Sequence, residues 1–133
     1  MKNIKQYYKE LGKMVYAVAM ADGMISSEEK ETLRHFVLKK LVNYEYDTDS
    51  SGMNKAFYVD FEFDEKEEQR ADASGGLKSF SKFVHENYEP GDEELMRHSL
   101  EVLERVAAVY SREREKDIVS EVKSEIHEVY KEL

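Results

Sequence analysis

The chain has 133 residues, 29 acids against 20 bases, a net charge of −9 and no cysteine. That length fits a single domain, 1–133, with enough chain to bury a core without covalent staples. The absence of cysteine excludes disulfides, thiolate metal sites and a cysteine nucleophile. The acidic balance argues against nucleic-acid binding, which relies on clustered Lys and Arg. The opening MKNIKQYYKELGK has no apolar core of signal-peptide length, and no stretch approaches about 18 apolar residues. A soluble cytoplasmic chain with no membrane insertion is the expectation.

Ile4, Tyr8, Leu11, Val15 and Val18 recur at steps of four and three, which predicts an amphipathic helix. Ala17, Ala19 and Ala21 follow, small enough to admit a neighbouring helix. Gly23, after Asp22, fits the left-handed residue that ends a helix. The chain restarts at Ser26, with Glu29 three positions on in a capping box and Ile25 just outside it. Leu33, Phe36, Val37 and Leu41 or Lys40 continue the buried face of the second helix.

Residues 43–63 read differently. A Ser-Ser-Gly turn is followed by Phe57, Val59, Phe61 and Phe63 in alternation with Tyr58, Asp60 and Glu62. That two-residue period predicts a small β-hairpin lying on the helices, with an irregular insertion as the alternative. The segment is also the acidic centre of the chain: Glu45–Glu68 holds nine acids and two bases. A solvated insertion is the plain reading of such a run, and a surface for cations or a basic partner is the sharper one.

Beyond it, Leu77, Phe80, Phe83 and Val84 form a helical stripe after Gly75-Gly76. Pro90-Gly91-Asp92 breaks the chain, and Asp92 suits an N-cap. Leu95, Ser99, Leu103, Val106 and Tyr110 mark one face of the next helix. Val119, Val122, Ile126, Val129 and Leu133 mark one face of the last. The sum is an all-α, multihelical bundle of about five helices.

The run VAMADGMISSEEKETL, Val18–Leu33, resembles the signature of the TerB-like (tellurite-resistance TerB) family. There an alanine-rich helix ends in Ala-Asp-Gly, followed by an apolar residue, a serine cap, paired acids and a leucine. A degenerate second copy is placed at Val106–Val119, which keeps the alanines and Glu-Lys-Asp-Ile-Val but lacks the Asp-Gly. The resemblance implies an all-helical bacterial domain associated with tellurite resistance and stress response. It brings no catalytic constellation. It also implies a divalent-cation site, calcium for example, on acids at the joint: Asp22 first, then Glu28 and Glu29. Cap and turn chemistry accounts for the same positions without a metal.

Asp47-Thr48-Asp49-Ser50-Ser51-Gly52 matches the opening of an EF-hand loop, but position 12 is Tyr58 where a bidentate Glu is needed. An Asp/Ser/Gly-rich turn is the better reading. His35, His85, His98 and His127 make no metalloprotease or di-iron spacing, and Glu94–His98 is a lone one-turn pair. No nucleophile-elbow or P-loop motif is present. A non-catalytic interaction module with a protein partner is therefore the leading expectation, an enzyme lacking a recognisable signature the weakest. Nine Tyr and six Phe supply contact residues, with Tyr44, Tyr46, Tyr58 and Phe61 as the candidate surface.

Overall fold

The computed structural model describes residues 1–20 and 27–110, together with 120, 121, 123, 124 and 127. Within the helices, the side chains of residues 28, 29, 32, 33, 109 and 110 fall outside that description. Among the described residues up to 110, five α-helices follow one another: α1 (Ile4–Ala19), α2 (Ser27–Tyr44), α3 (Tyr58–Glu68), α4 (Gly76–Asn87) and α5 (Glu93–Tyr110). A 3₁₀ turn, Lys55–Phe57, leads into α3. Among the described residues there is no strand, only an isolated antiparallel bridge between Thr48 and Asn54. No described helix is long and apolar enough to cross a membrane.

α1 is the central element, in close backbone contact with α3, α4 and α5. The predicted stripe is its inner edge: Tyr8, Leu11, Val15 and Val18 are buried, and Ile4 packs at the rim. Tyr7, Met14, Tyr16, Ala17 and Ala19 are buried as well, so from its second turn the helix is covered on more than one face. Such a helix no longer needs a polar face. α2 reaches the bundle through α5, the 3₁₀ turn and α3, with Val37 and Leu41 inward. Phe36 and Lys40 are both half-buried.

The hairpin expected within 43–63 does not form. α2 runs to Tyr44, residues 45–54 make a tight loop, and the alternating aromatics lie on the 3₁₀ turn and α3. The inward set is Ala56, Val59, Glu62 and Phe63, at helical steps of three, three and one. Phe57 is half-buried and Phe61 faces out, so the two-residue alternation is not the packing period. α3 ends in a Schellman motif: the Ala71 amide donates to the Lys66 carbonyl and the Arg70 amide to Glu67, with Arg70 left-handed at φ 51°. The Tyr16 hydroxyl holds the exit by donating to the Ala71 carbonyl at 2.8 Å.

The acidic run is correspondingly not a free insertion. Arg34 Nε donates to Asp60 at 2.7 Å and its Nη2 to Asp64 at 2.6 Å, while Lys30 pairs with Glu67 at 2.7 Å. These α3 acids clamp α2. The other two predicted helices stand where their stripes placed them. Phe80 and Val84 are buried on α4, and Leu95, Ser99, Leu103 and Val106 on α5. Met96, Val102 and Ala107 widen the α5 face. Asp92, the expected N-cap, directly precedes α5: its carbonyl accepts from the Met96 amide at 3.0 Å, and its carboxylate accepts from the Glu89 amide at 2.8 Å. The final stripe and most of the second copy of the family run lie outside the described residues. Of that segment, Lys123 pairs with Glu104 of α5 at 2.7 Å.

Candidate functional site

The 45–54 loop is closed by its own polar groups. Asp49 accepts from the Ser51 hydroxyl at 2.6 Å, the Ser51 amide at 2.9 Å, the Met53 amide at 3.1 Å and the Tyr58 hydroxyl at 2.8 Å. Gly52 takes φ 86°, a left-handed conformation that a side chain would strain. Asp47 pairs with Lys55 at 2.9 Å. The oxygens that an EF-hand would turn toward calcium are thus committed to the chain. Tyr58, standing at the twelfth position, is a donor where a carboxylate ligand is required. The turn reading of this segment holds.

Those donors keep the Asp49 carboxyl well below the ordinary aspartate value of 3.8, the Ser51 hydroxyl contributing most and Tyr58 next. A depressed native value means that the ionised carboxylate supports the loop above pH 3.8. That support is lost as pH falls through the lower native value. A carbon-detected NMR titration should place the Asp49 midpoint below 3.8, and Tyr58→Phe should move it upward. A midpoint at or above 3.8 in the unaltered chain would contradict this closure.

Tyr58 also anchors the aromatic surface. Its ring meets Phe61 edge-on, centroids 5.7 Å apart at 88°. From α1, Lys5 places its ammonium 4.7 Å from the centre of the Tyr58 ring and Lys9 places its own 5.8 Å away. Phe61 is 46 % exposed, and Tyr46 in the loop is 93 % exposed. Among the described residues these two are the large hydrophobic side chains left in solvent. Tyr46 precedes Asp47, while Glu45 on its other side accepts from the buried Tyr8 hydroxyl at 2.6 Å. Burial, and the bond to Glu45 after it, push the Tyr8 hydroxyl far above its usual range, so it stays a neutral donor.

Tyr44 stands apart from that pair. Its ring lies 4.5 Å from the His98 ring, between α2 and α5. With Phe36, Lys39, Lys40 and Asn43 the two line an open groove of about 530 Å³. Arg105 lies over Phe36 at 5.3 Å. His98 Nε2 is 3.9 Å from Glu94 and Nδ1 4.0 Å from Glu101, both too long for hydrogen bonds. Burial, with Lys40 and Arg97 nearby, lowers the His98 pKa from 6.5 and favours the neutral ring. Glu101 is occupied by Lys40 at 2.6 Å and Arg97 at 2.7 Å.

Of the residues named for a cation, Asp22 lies outside the described residues, and so do the side chains of Glu28 and Glu29. Among the described residues no group of three or more His, Asp or Glu is arranged to hold a metal. Of the four aromatics named for a surface, the structure joins Tyr58 to Phe61, leaves Tyr46 in solvent and turns Tyr44 to His98. Lys5 and Lys9 were not legible as part of this surface, because they lie about fifty residues from Tyr58 in the chain. The one signal was the basic bias of the first nineteen residues, where Lys2, Lys5, Lys9 and Lys13 stand against a single acid, Glu10.

No family model matches the chain, and neither the curated proteins nor the solved structures contain a match to it.

Proposed function

We propose that this chain is a TerB-like helical domain that works without catalysis in a cytoplasmic stress-response system. In this reading it binds a protein partner through the surface around Tyr46, Tyr58 and Phe61. The family part rests on the Val18–Leu33 run. The interaction part is carried by one observation: among the described residues, Phe61 and Tyr46 are the large hydrophobic side chains that stay exposed. Exposed aromatics of this kind are the residues that anchor interfaces when a partner removes them from water.

The test is a quantitative affinity purification from the native host. The tagged chain is compared with Tyr46→Ser/Phe61→Ser, and helicity is checked by circular dichroism. A discrete partner should drop at least tenfold in the variant with the fold intact. An unchanged partner set would sink the reading.

A further inference from the structure

The chain carries net charge −9, and two lysines of α1 stand at the Tyr58 ring beside Phe61. Most described bases near the acidic helix are neutralised: Lys30, Arg34, Lys55 and Lys66 each meet a carboxylate. Lys13, one turn beyond Lys9, is held by Glu10 at 3.0 Å. Lys5 and Lys9 differ. Among the described residues neither has a carboxylate within 4.0 Å, and what they meet is the Tyr58 ring.

Four acids of the loop and of α3 are engaged elsewhere. Asp49 is closed by Ser51, Met53 and Tyr58. Asp47 is on Lys55, Glu62 is on Lys66, and Asp60 is on Arg34. Lys5 and Lys9 are one helical turn apart, so their ammonium groups share one face of α1. The result is two unmatched positive charges beside a half-exposed phenyl ring, which is a combination of long-range attraction and apolar anchoring.

We propose that the Lys5–Lys9–Tyr58–Phe61 patch docks a short acidic segment of a partner protein that also carries an aromatic or aliphatic side chain. This rests on the interaction reading above and names the chemistry of its partner. The apolar side chain packs on Phe61 and the edge of Tyr58. Carboxylates on either side of it meet Lys5 and Lys9, which gain the counter-charges that the chain itself withholds. The neighbouring acids Glu65, Asp60 and Asp49 disfavour a continuous anionic surface such as a membrane, whereas a short peptide places its few charges only over the lysines.

The experiment displays a random dodecapeptide library against the intact chain and measures the enriched peptides by titration. Enriched sequences should combine two or more acids with an apolar residue. Their affinity should fall at least tenfold in Lys5→Glu/Lys9→Glu and in Phe61→Ser, with Lys5→Gln/Lys9→Gln intermediate and all variants equally helical. It should also fall as salt is raised. Enriched peptides without acids, binding indifferent to the lysine variants, or no enrichment at all would overturn the proposal. So would lysine-dependent co-sedimentation of the chain with phosphatidylcholine–phosphatidylserine vesicles in the absence of peptide affinity. Loss of the native partner in Phe61→Ser but not in the lysine variants would overturn the acidic-segment assignment alone. An unchanged partner set in Phe61→Ser/Tyr46→Ser would remove the interaction reading itself.

Discussion

Replacing Gly12 with alanine should destabilise the fold, although the same change in an isolated helix stabilises it. In a helix interior, Ala is favoured over Gly by about 1 kcal/mol. Here a Cβ on Gly12 would stand 2.6 Å from the Val59 carbonyl oxygen and 2.9 Å from Glu62 Cβ. Both belong to α3, and the closer one is backbone, so no side-chain rotation relieves the clash. The two helices must separate, which loosens Val59 and Phe63 from the core cluster that they share with Leu11 and Val15. Overpacking of this kind costs about 1–3 kcal/mol, occasionally more, and it outweighs the propensity gain. A clash with backbone belongs in the upper half of that range, so the expected net loss is about 1–2 kcal/mol in urea unfolding. Gly75→Ala is the control, because nothing lies within 4 Å of the place its methyl group would take and its φ is −95°. It should stay within about 0.5 kcal/mol of the unaltered chain. A Gly12→Ala chain as stable as the parent would mean that α1 and α3 are not in close contact.

Tyr7→Ala should be the more damaging change. Tyr7 is fully buried where α1 meets α4 and α5, with Tyr8, Phe80 and Phe83 ring centroids at 5.5, 5.8 and 6.4 Å. Removing such a ring costs about 3–5 kcal/mol, through lost burial and the cavity left behind. That is a large part of the roughly 5–15 kcal/mol by which domains are stable. Tyr7→Phe separates the ring from its hydroxyl. Ser99 Oγ donates to the Leu95 carbonyl at 2.8 Å, so in its bond with Ser99 the Tyr7 hydroxyl is the donor. Without it Ser99 still has Leu95 as partner, and the loss should be about 1 kcal/mol. Chemical denaturation of both variants checks the ordering. If Tyr7→Phe were as harmful as Tyr7→Ala, the polar contact and not the ring would be holding the three helices together.

The parts of the fold legible in the chain are those where apolar residues recur at helical steps. Tyr8, Leu11, Val15 and Val18, then Phe80 and Val84, then Leu95, Ser99, Leu103 and Val106 are marked by a local period. The structure buries each of them. Residues 57–63 mislead because Phe57, Val59, Phe61 and Phe63 alternate as a strand would. Only Val59 and Phe63 of those four are buried, and α1 selects them: its Gly12 leaves the space that the α3 backbone enters. The acidic run reads as a solvated insertion for a related reason. Its partners Lys30 and Arg34 sit some thirty residues upstream on another helix.

The candidate surface divides in the same way. Tyr46, Tyr58 and Phe61 could be named from composition, and two of them are indeed the exposed large hydrophobics. Tyr44 could not be told from them, because its contact with His98 joins α2 to α5.

The sequence by itself determined the all-α class, the inward faces of α1, α4 and α5, and the turn at Asp49–Gly52. Each of these is written in neighbouring residues, through a 3.6-residue period or the short reach of a side chain to its own backbone. Tertiary structure decided that 58–68 is a helix, that its acids clamp α2, and that Lys5 and Lys9 stand over Tyr58 with no carboxylate within 4.0 Å among the described residues. Those outcomes depend on which groups folding brings together across thirty to fifty residues, and no local pattern records that choice.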